Sequence, residues 1–191
     1  MSSARLEAFS DGVIAILITI MVLDLKVPQG TDLRSLAPLL PVLLVYLLSF
    51  VYLGIYWTNH HHMFQIVERV DGAILWANLN LLFWLSLVPF TTGWMGENHF
   101  AALPTAIYGC VLLAAAISYT ILQTTIVHRP HAGAKLAEAV GRDRKGKLSI
   151  VLYLAGIVLA FARPWIAIVL YVAVALTWFV PDSRIEALVK K

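Results

Sequence analysis

RLEAFSDGVIAILITIMVLDL, residues Arg5 to Leu25, is the stretch from which the rest of the chain is read. Ser10 and Asp11 stand immediately before a long apolar run. A helix N-terminus uses short polar side chains there to accept its orphan backbone N–H groups, so a membrane-spanning helix is expected from Phe9 to Leu25. Ile16, Ile20 and Leu23 fall at i, i+4 and i+7 and share one helix face over two turns, with Thr19 one step aside. In an isolated chain such a stripe is ordinary packing. Around an axis shared by several copies each branched residue becomes a ring, and such rings narrow a pore to the width of a nearly dry ion.

The bulk composition sets the class. Of 191 residues, 60% are apolar and only 13% charged, whereas about a quarter of an average soluble domain is charged. The chain reads as an integral, all-α membrane protein. No short apolar segment with an A-x-A-like cleavage site opens it, and its first apolar run begins at an Asp, so no cleaved signal peptide is expected. The single cysteine, Cys110, excludes an intrachain disulfide and a two-Cys metal site. A net charge of +3 gives no reason to expect nucleic-acid binding.

About 20 largely apolar residues cross the hydrocarbon core, and that rule predicts six spans: 9–25, 36–59, 74–94, 101–127, 148–162 and 165–180. The last two are short. Arg163-Pro164 separates them, and proline disfavours helix at the residue before it, so they read as a helical hairpin, with a single broken span as the alternative. Lys and Arg set the orientation. With a cytoplasmic N-terminus the inner segments hold Arg5, Arg69, Arg129, Lys135, Arg142, Arg144, Lys145, Lys147, Arg184, Lys190 and Lys191, against Lys26, Arg34 and Arg163 outside. Both termini are therefore expected in the cytoplasm. Trp94, Trp165 and Trp178 near span ends fit the aromatic belt.

The one sizeable hydrophilic segment runs from His128 to Lys147, with a short possible helix at Ala134–Val140. It is either a solvated connector or a contact for anionic lipid headgroups through Arg142, Arg144, Lys145 and Lys147. Without internal duplication or a separate soluble part, residues 1–191 read as a single domain with one repeat of six helices.

Polar residues inside the spans mark what else matters. Asp11 is costly at a membrane edge unless paired or wet. Arg5, six residues upstream, lies on a different helix face, so each is expected to find its partner on another helix. Span two ends in YWTNHHHMF, which supplies Trp57, Asn59, His60, His61 and His62. Adjacent histidines on a helix point about 100° apart and cannot grip one tetrahedral zinc, so a hydrogen-bond network or a pH-responsive element is the better reading and no metal is expected. In span three, Asn78 and Asn80 face nearly opposite sides, so at most one joins the Asp11 network. Pro89 with Thr91 and Thr92 signals a kink or a helix end. Thr19 either returns its hydroxyl to a carbonyl one turn back or offers an oxygen to a passing cation.

The pattern R-x-x-x-F-S-D, present as Arg5, Phe9, Ser10 and Asp11 and followed by GVIAILITI, resembles the first transmembrane helix of the bacterial members of the transmembrane-protein-175 family of potassium channels. The resemblance extends to Trp57, His60 and Phe64, which look like a second family pattern whose polar side chains pack with the R-x-x-x-F-S-D residues at the cytoplasmic helix ends. It implies a potassium-selective homotetramer in a prokaryotic plasma membrane, with the first helix lining a central pore. Potassium would be the permeant ion, with no cofactor. Thr19 falls at the family position associated with potassium selectivity.

No loop resembles T-V-G-Y-G, so selectivity by a filter of carbonyls is excluded, and a narrow apolar constriction at Ile16, Ile20 and Leu23 is expected to discriminate through dehydration. No G-x-S-x-G, H-E-x-x-H, Walker or dinucleotide motif appears, which argues against an enzyme. The alternatives are a small secondary transporter or proton-coupled carrier using Asp11 and the His60–His62 cluster, and a non-conducting membrane scaffold. No span has the regular arginine spacing of a voltage sensor.

Overall fold

In a computed structural model, residues 2–65, 67, 69–129 and 144–179 are described, and nearly all are helical. The first helix, α1, is Ser3–Leu23, with Ser2 as its N-cap residue. It therefore starts well before Phe9, and Ser10 and Asp11 lie two turns inside it, so their expected capping role is corrected. Arg5, Leu6, Glu7 and Ala8 are all strong helix formers and carry the helix past the edge of the apolar run.

A 3₁₀ segment, Leu33–Leu39, follows, its first turn closed by Asp32, whose side chain accepts from the Ser35 N–H at 3.1 Å. It leads into α2, Leu40–Gln65, which holds the three histidines within the helix. Asp71 caps α3, Gly72–Ser86, by accepting from the Ile74 N–H at 3.0 Å. The helix breaks at Leu87, and α4 is Val88–Glu97 with Pro89 in its first turn, where a missing N–H does no harm. Thr92 returns its hydroxyl to the Val88 carbonyl at 2.7 Å. The kink expected at Pro89 is thus a break between two helices of one apolar stretch. Then come α5, Ala102–Val127, α6, Arg144–Ala160, and α7, Pro164–Phe179.

Among the described residues four stretches are long and apolar enough to cross a membrane: Ser3–Leu23, Leu33–Gln65, Gly72–Glu97 and Ala102–Val127. Pro164–Phe179 is apolar but shorter. The helices α6 and α7 pack on each other across a turn at Phe161–Arg163, with Pro164 as the first residue of α7, which is the hairpin form of the last two segments. The loop readings at Ala134–Val140, Lys135 and Arg142, and the basic residues Arg184, Lys190 and Lys191, lie outside the described residues.

Helix α5 joins two groups of helices, packing on α3 and α4 as well as on α6 and α7. Helix α1 packs on α2, α3 and α4, while the α6–α7 hairpin packs on α5 and, through α7, on α2. Tyrosines fill the space among α5, α6 and α7: Tyr108, Tyr153 and Tyr171, one from each, are fully buried. The Tyr171 ring needs two glycines. A methyl added at Gly109 would overlap its hydroxyl, and one at Gly156 would meet its Cε1 at 2.5 Å. Overpacking a filled core costs about 1–3 kcal/mol. Gly109→Ala is therefore expected to lower the melting temperature of the detergent-solubilised protein by about 3–10 °C; an unchanged midpoint would show that Tyr171 has somewhere else to go.

Candidate pore helix and the polar network behind it

Helix α1 has two faces of opposite fate. Leu6, Ser10, Ile14, Leu17 and Met21 are buried against α2, α3 and α4. On the far side Ile16 is 57% exposed, Ile20 43% and Leu23 80%. The stripe predicted from spacing is thus an outward face of the single chain, and Arg5, Phe9 and Thr19 are exposed with it. Arg5 makes no ion pair or hydrogen bond among the described residues. A Cβ added at Gly12 would meet nothing within 4 Å, so nothing within the chain requires a glycine there. The Thr19 hydroxyl reaches the carbonyls of Ile16 at 2.9 Å and Ala15 at 3.1 Å. That satisfies its proton and leaves oxygen lone pairs facing outward.

Behind this helix lies a directional chain of hydrogen bonds. His60 Nε2 bonds Asn78 Oδ1 at 2.7 Å, the Asn78 amide donates to Ser10 Oγ at 3.0 Å, and the Ser10 hydroxyl donates to the Leu6 carbonyl at 2.9 Å. The orientation of Asn78 puts the His60 proton on Nε2, and each donor polarises the next. All three side chains are completely buried. The chain joins α2, α3 and α1, so it ties the inward face of α1 to both of its neighbours. The other His60 nitrogen, Nδ1, is buried with no hydrogen-bond partner among the described residues.

Asp11 belongs to a separate contact, accepting from Trp57 Nε1 at 3.0 Å on the exposed side of the α1–α2 seam. Its partner is on another helix, as expected, but Asn78 and His60 gather around Ser10 instead. Of the two amides, Asn78 enters the network, while Asn80 donates to Ser118 Oγ on α5 at 2.7 Å. The three histidines go separate ways. His61 donates from Nδ1 to Glu7 Oε1 at 2.5 Å and accepts from Gln65 at 2.7 Å, its ring stacked on Trp57 with centroids 6.2 Å apart. Phe64 packs on the His60 ring at 4.5 Å. Glu7 went unread because the helix was taken to begin after it; its position three residues before Ser10 on a continuous helix is the signal that would have found it.

At the opposite end of α1, Leu23, Asp24 and Lys26 face Pro89, Phe90, Trp94 and Glu97 across an open groove. Lys26 bonds Glu97 at 2.7 Å. That hydrogen bond, with the carboxylate charge, raises the Lys26 pKa above its usual value. Near the start of α6, Lys145 lies 5.9 Å from the centre of the Trp178 ring, and Lys147 is exposed.

Residues 5–89 match the family model described as the endosomal/lysosomal potassium channel TMEM175. The chain is 54% identical over 191 residues to a potassium channel of Chryseobacterium sp. (strain P1-3), covering all of both sequences. It is 34% identical over 181 residues to a potassium channel of Chamaesiphon minutus, covering 87% of this chain and 88% of that one. Among solved structures it is similar to the crystal structure of a lysosomal potassium-selective channel TMEM175 homologue from Chamaesiphon minutus. There the TM-score is 0.79 at 31% identity, over 94% of this chain and 97% of that one.

Proposed function

The chain belongs to the TMEM175 family of potassium channels, and on that premise we propose that it is a homotetrameric, potassium-selective channel whose first helices line a central pore. The observation that carries this reading is the asymmetry of α1: bulky aliphatic residues stand exposed on one face while the opposite face is fixed by the buried Ser10–Asn78–His60 chain. A helix held so firmly from behind presents its outward residues at a defined position. Four copies of Ile16 form the tightest ring, with Ile20 and Leu23 rings above. Each permeating ion loses part of its water there, and potassium sheds water more readily than sodium, so selectivity is modest. The outward oxygen of Thr19 gives a partly dehydrated cation a ligand beside the constriction.

The whole chain acts as a single six-span domain in a prokaryotic plasma membrane, both termini in the cytoplasm, with Lys145 and Lys147, the described members of the basic cluster, close to anionic headgroups. Potassium is the permeant species and no cofactor takes part. Flux from liposomes tests the proposal. A channel passes potassium down its gradient without a co-substrate. Saturating, proton-coupled flux would instead favour a carrier working through Asp11 and the histidines, and no flux would leave a scaffold.

Arg5 and Asp11 serve assembly. Both lie at the inner end of α1, Arg5 exposed and Asp11 half-exposed at the helix seam. Arg5→Ala and Asp11→Ala are expected to shift the size-exclusion profile from tetramer toward monomer while the residual tetramer conducts normally. Intact tetramers from both variants would refute that role.

A further inference from the structure

Between α2, α5, α6 and α7 lies a recess walled by Tyr52, Tyr56, Asn59, Tyr119, Tyr153 and Trp178. None of the described α1 residues lines it, so it is separate from the outward face of that helix. The centre of a water-sized sphere can range over about 40 Å³ of it. One water needs about 10–15 Å³ by that measure, so the recess has room for about three waters or one small organic molecule of similar bulk.

Two of its wall residues, Asn59 and Tyr56, keep a polar atom without a hydrogen-bond partner among the described residues. Asn59 is 4% exposed; its amide nitrogen donates to the Ile55 carbonyl at 2.8 Å, which leaves Oδ1 without a donor among the described residues. Tyr56 is 9% exposed, and its hydroxyl makes no hydrogen bond among the described residues. Neither atom is sealed in protein. Asn59 and Tyr56, three residues apart on α2 and both lining the recess, thus keep an acceptor and a hydroxyl free to bond a hydroxyl group entering it.

The remaining walls define the rest of such a molecule. Among the described residues no charged side chain lines the recess, so a charged molecule would lose its hydration there without an ion-pair partner in the described walls. The aromatic faces favour an apolar body. We propose that this recess binds a small neutral alcohol or phenol, whose hydroxyl donates to Asn59 Oδ1 and accepts from the Tyr56 hydroxyl while its apolar part lies against the tyrosine and Trp178 rings.

Fluorine NMR of 4-fluorophenol with the full chain in detergent tests this. The wild type should broaden the signal saturably, at about millimolar affinity for so small a ligand, and unlabelled phenol should reverse it. Ala116→Leu fills the recess from α5 and should weaken binding at least tenfold. Should that variant elute as aggregate, Thr120→Leu fills the same space. Asn59→Leu, and fluorobenzene offered to the wild type, each remove the hydroxyl contact and should bind about fivefold more weakly. Three results overturn the proposal: signal loss that follows detergent partition without saturating, a filled variant that binds like the wild type, or fluorobenzene binding as tightly as fluorophenol.

Discussion

Ile16→Asn is expected to raise single-channel potassium current about tenfold and to reduce discrimination against sodium. In the proposed tetramer one substitution changes four side chains at the narrowest point, where an aliphatic ring holds water out and each ion must cross partly dehydrated. An amide in place of a branched alkyl group supplies hydrogen-bonding atoms at the same depth, so water is retained and the barrier falls. A tenfold gain in rate needs only about 1.4 kcal/mol off that barrier, a small fraction of an ion's hydration energy. The loss of selectivity comes from the same change, because an ion that keeps its water passes without revealing which ion it is. Ile16→Val keeps the ring apolar and should leave selectivity near that of the wild type. Since Ile16 is 57% exposed in the chain, neither change disturbs the internal packing. Planar-bilayer recordings in which Ile16→Asn conducts like the wild type would mean that Ile16 looks at acyl chains and that the pore lies elsewhere.

The parts of this molecule that the residues announced are those decided by a single segment. Apolar length marked the four longest apolar helical stretches, Pro89 and Pro164 marked the break between α3 and α4 and the hairpin between α6 and α7, and 3.6-residue spacing put Ile16, Ile20 and Leu23 on one face. The error at Ser10 and Asp11 has a physical origin. A short polar side chain at the edge of an apolar run caps a helix that begins there, and equally returns a hydroxyl to a carbonyl within a helix that began earlier, as Ser10 does to Leu6. Only the helix formers upstream tell the two apart. Partner choice was less legible still. That Asn78 meets Ser10 while Asp11 meets Trp57 depends on the rotation of α1 against two neighbours, and no spacing within one helix encodes that.

Asn78→Ala is expected to be the most destabilising single change in the buried network, lowering the melting temperature by about 5–15 °C. Hydrogen bonds between helices in membranes contribute about 0.6 kcal/mol on average and up to about 1.7, so the two bonds of Asn78 set only part of the effect. The larger part is what is left behind. His60 Nδ1 already lacks a partner among the described residues, and Asn78 is the sole hydrogen-bond partner shown for Nε2; without it a completely buried imidazole keeps no hydrogen bond at all. Ser10 also loses its donor, and the missing amide opens a void among α1, α2 and α3. Together these amount to about 2–4 kcal/mol, and a domain of this size shifts by about 2–4 °C per kcal/mol. Asn80→Ala is the internal comparison: it removes one bond, to Ser118, and strands no imidazole, so about 1–3 °C is expected. Because the Ser10–Asn78–His60 chain holds α1 from behind, Asn78→Ala should also broaden the distribution of open-channel currents, which Asn80→Ala should leave narrow. Equal shifts in the two variants would show that the buried chain has no special part in placing α1, and that helix packing alone sets the position of the outward face.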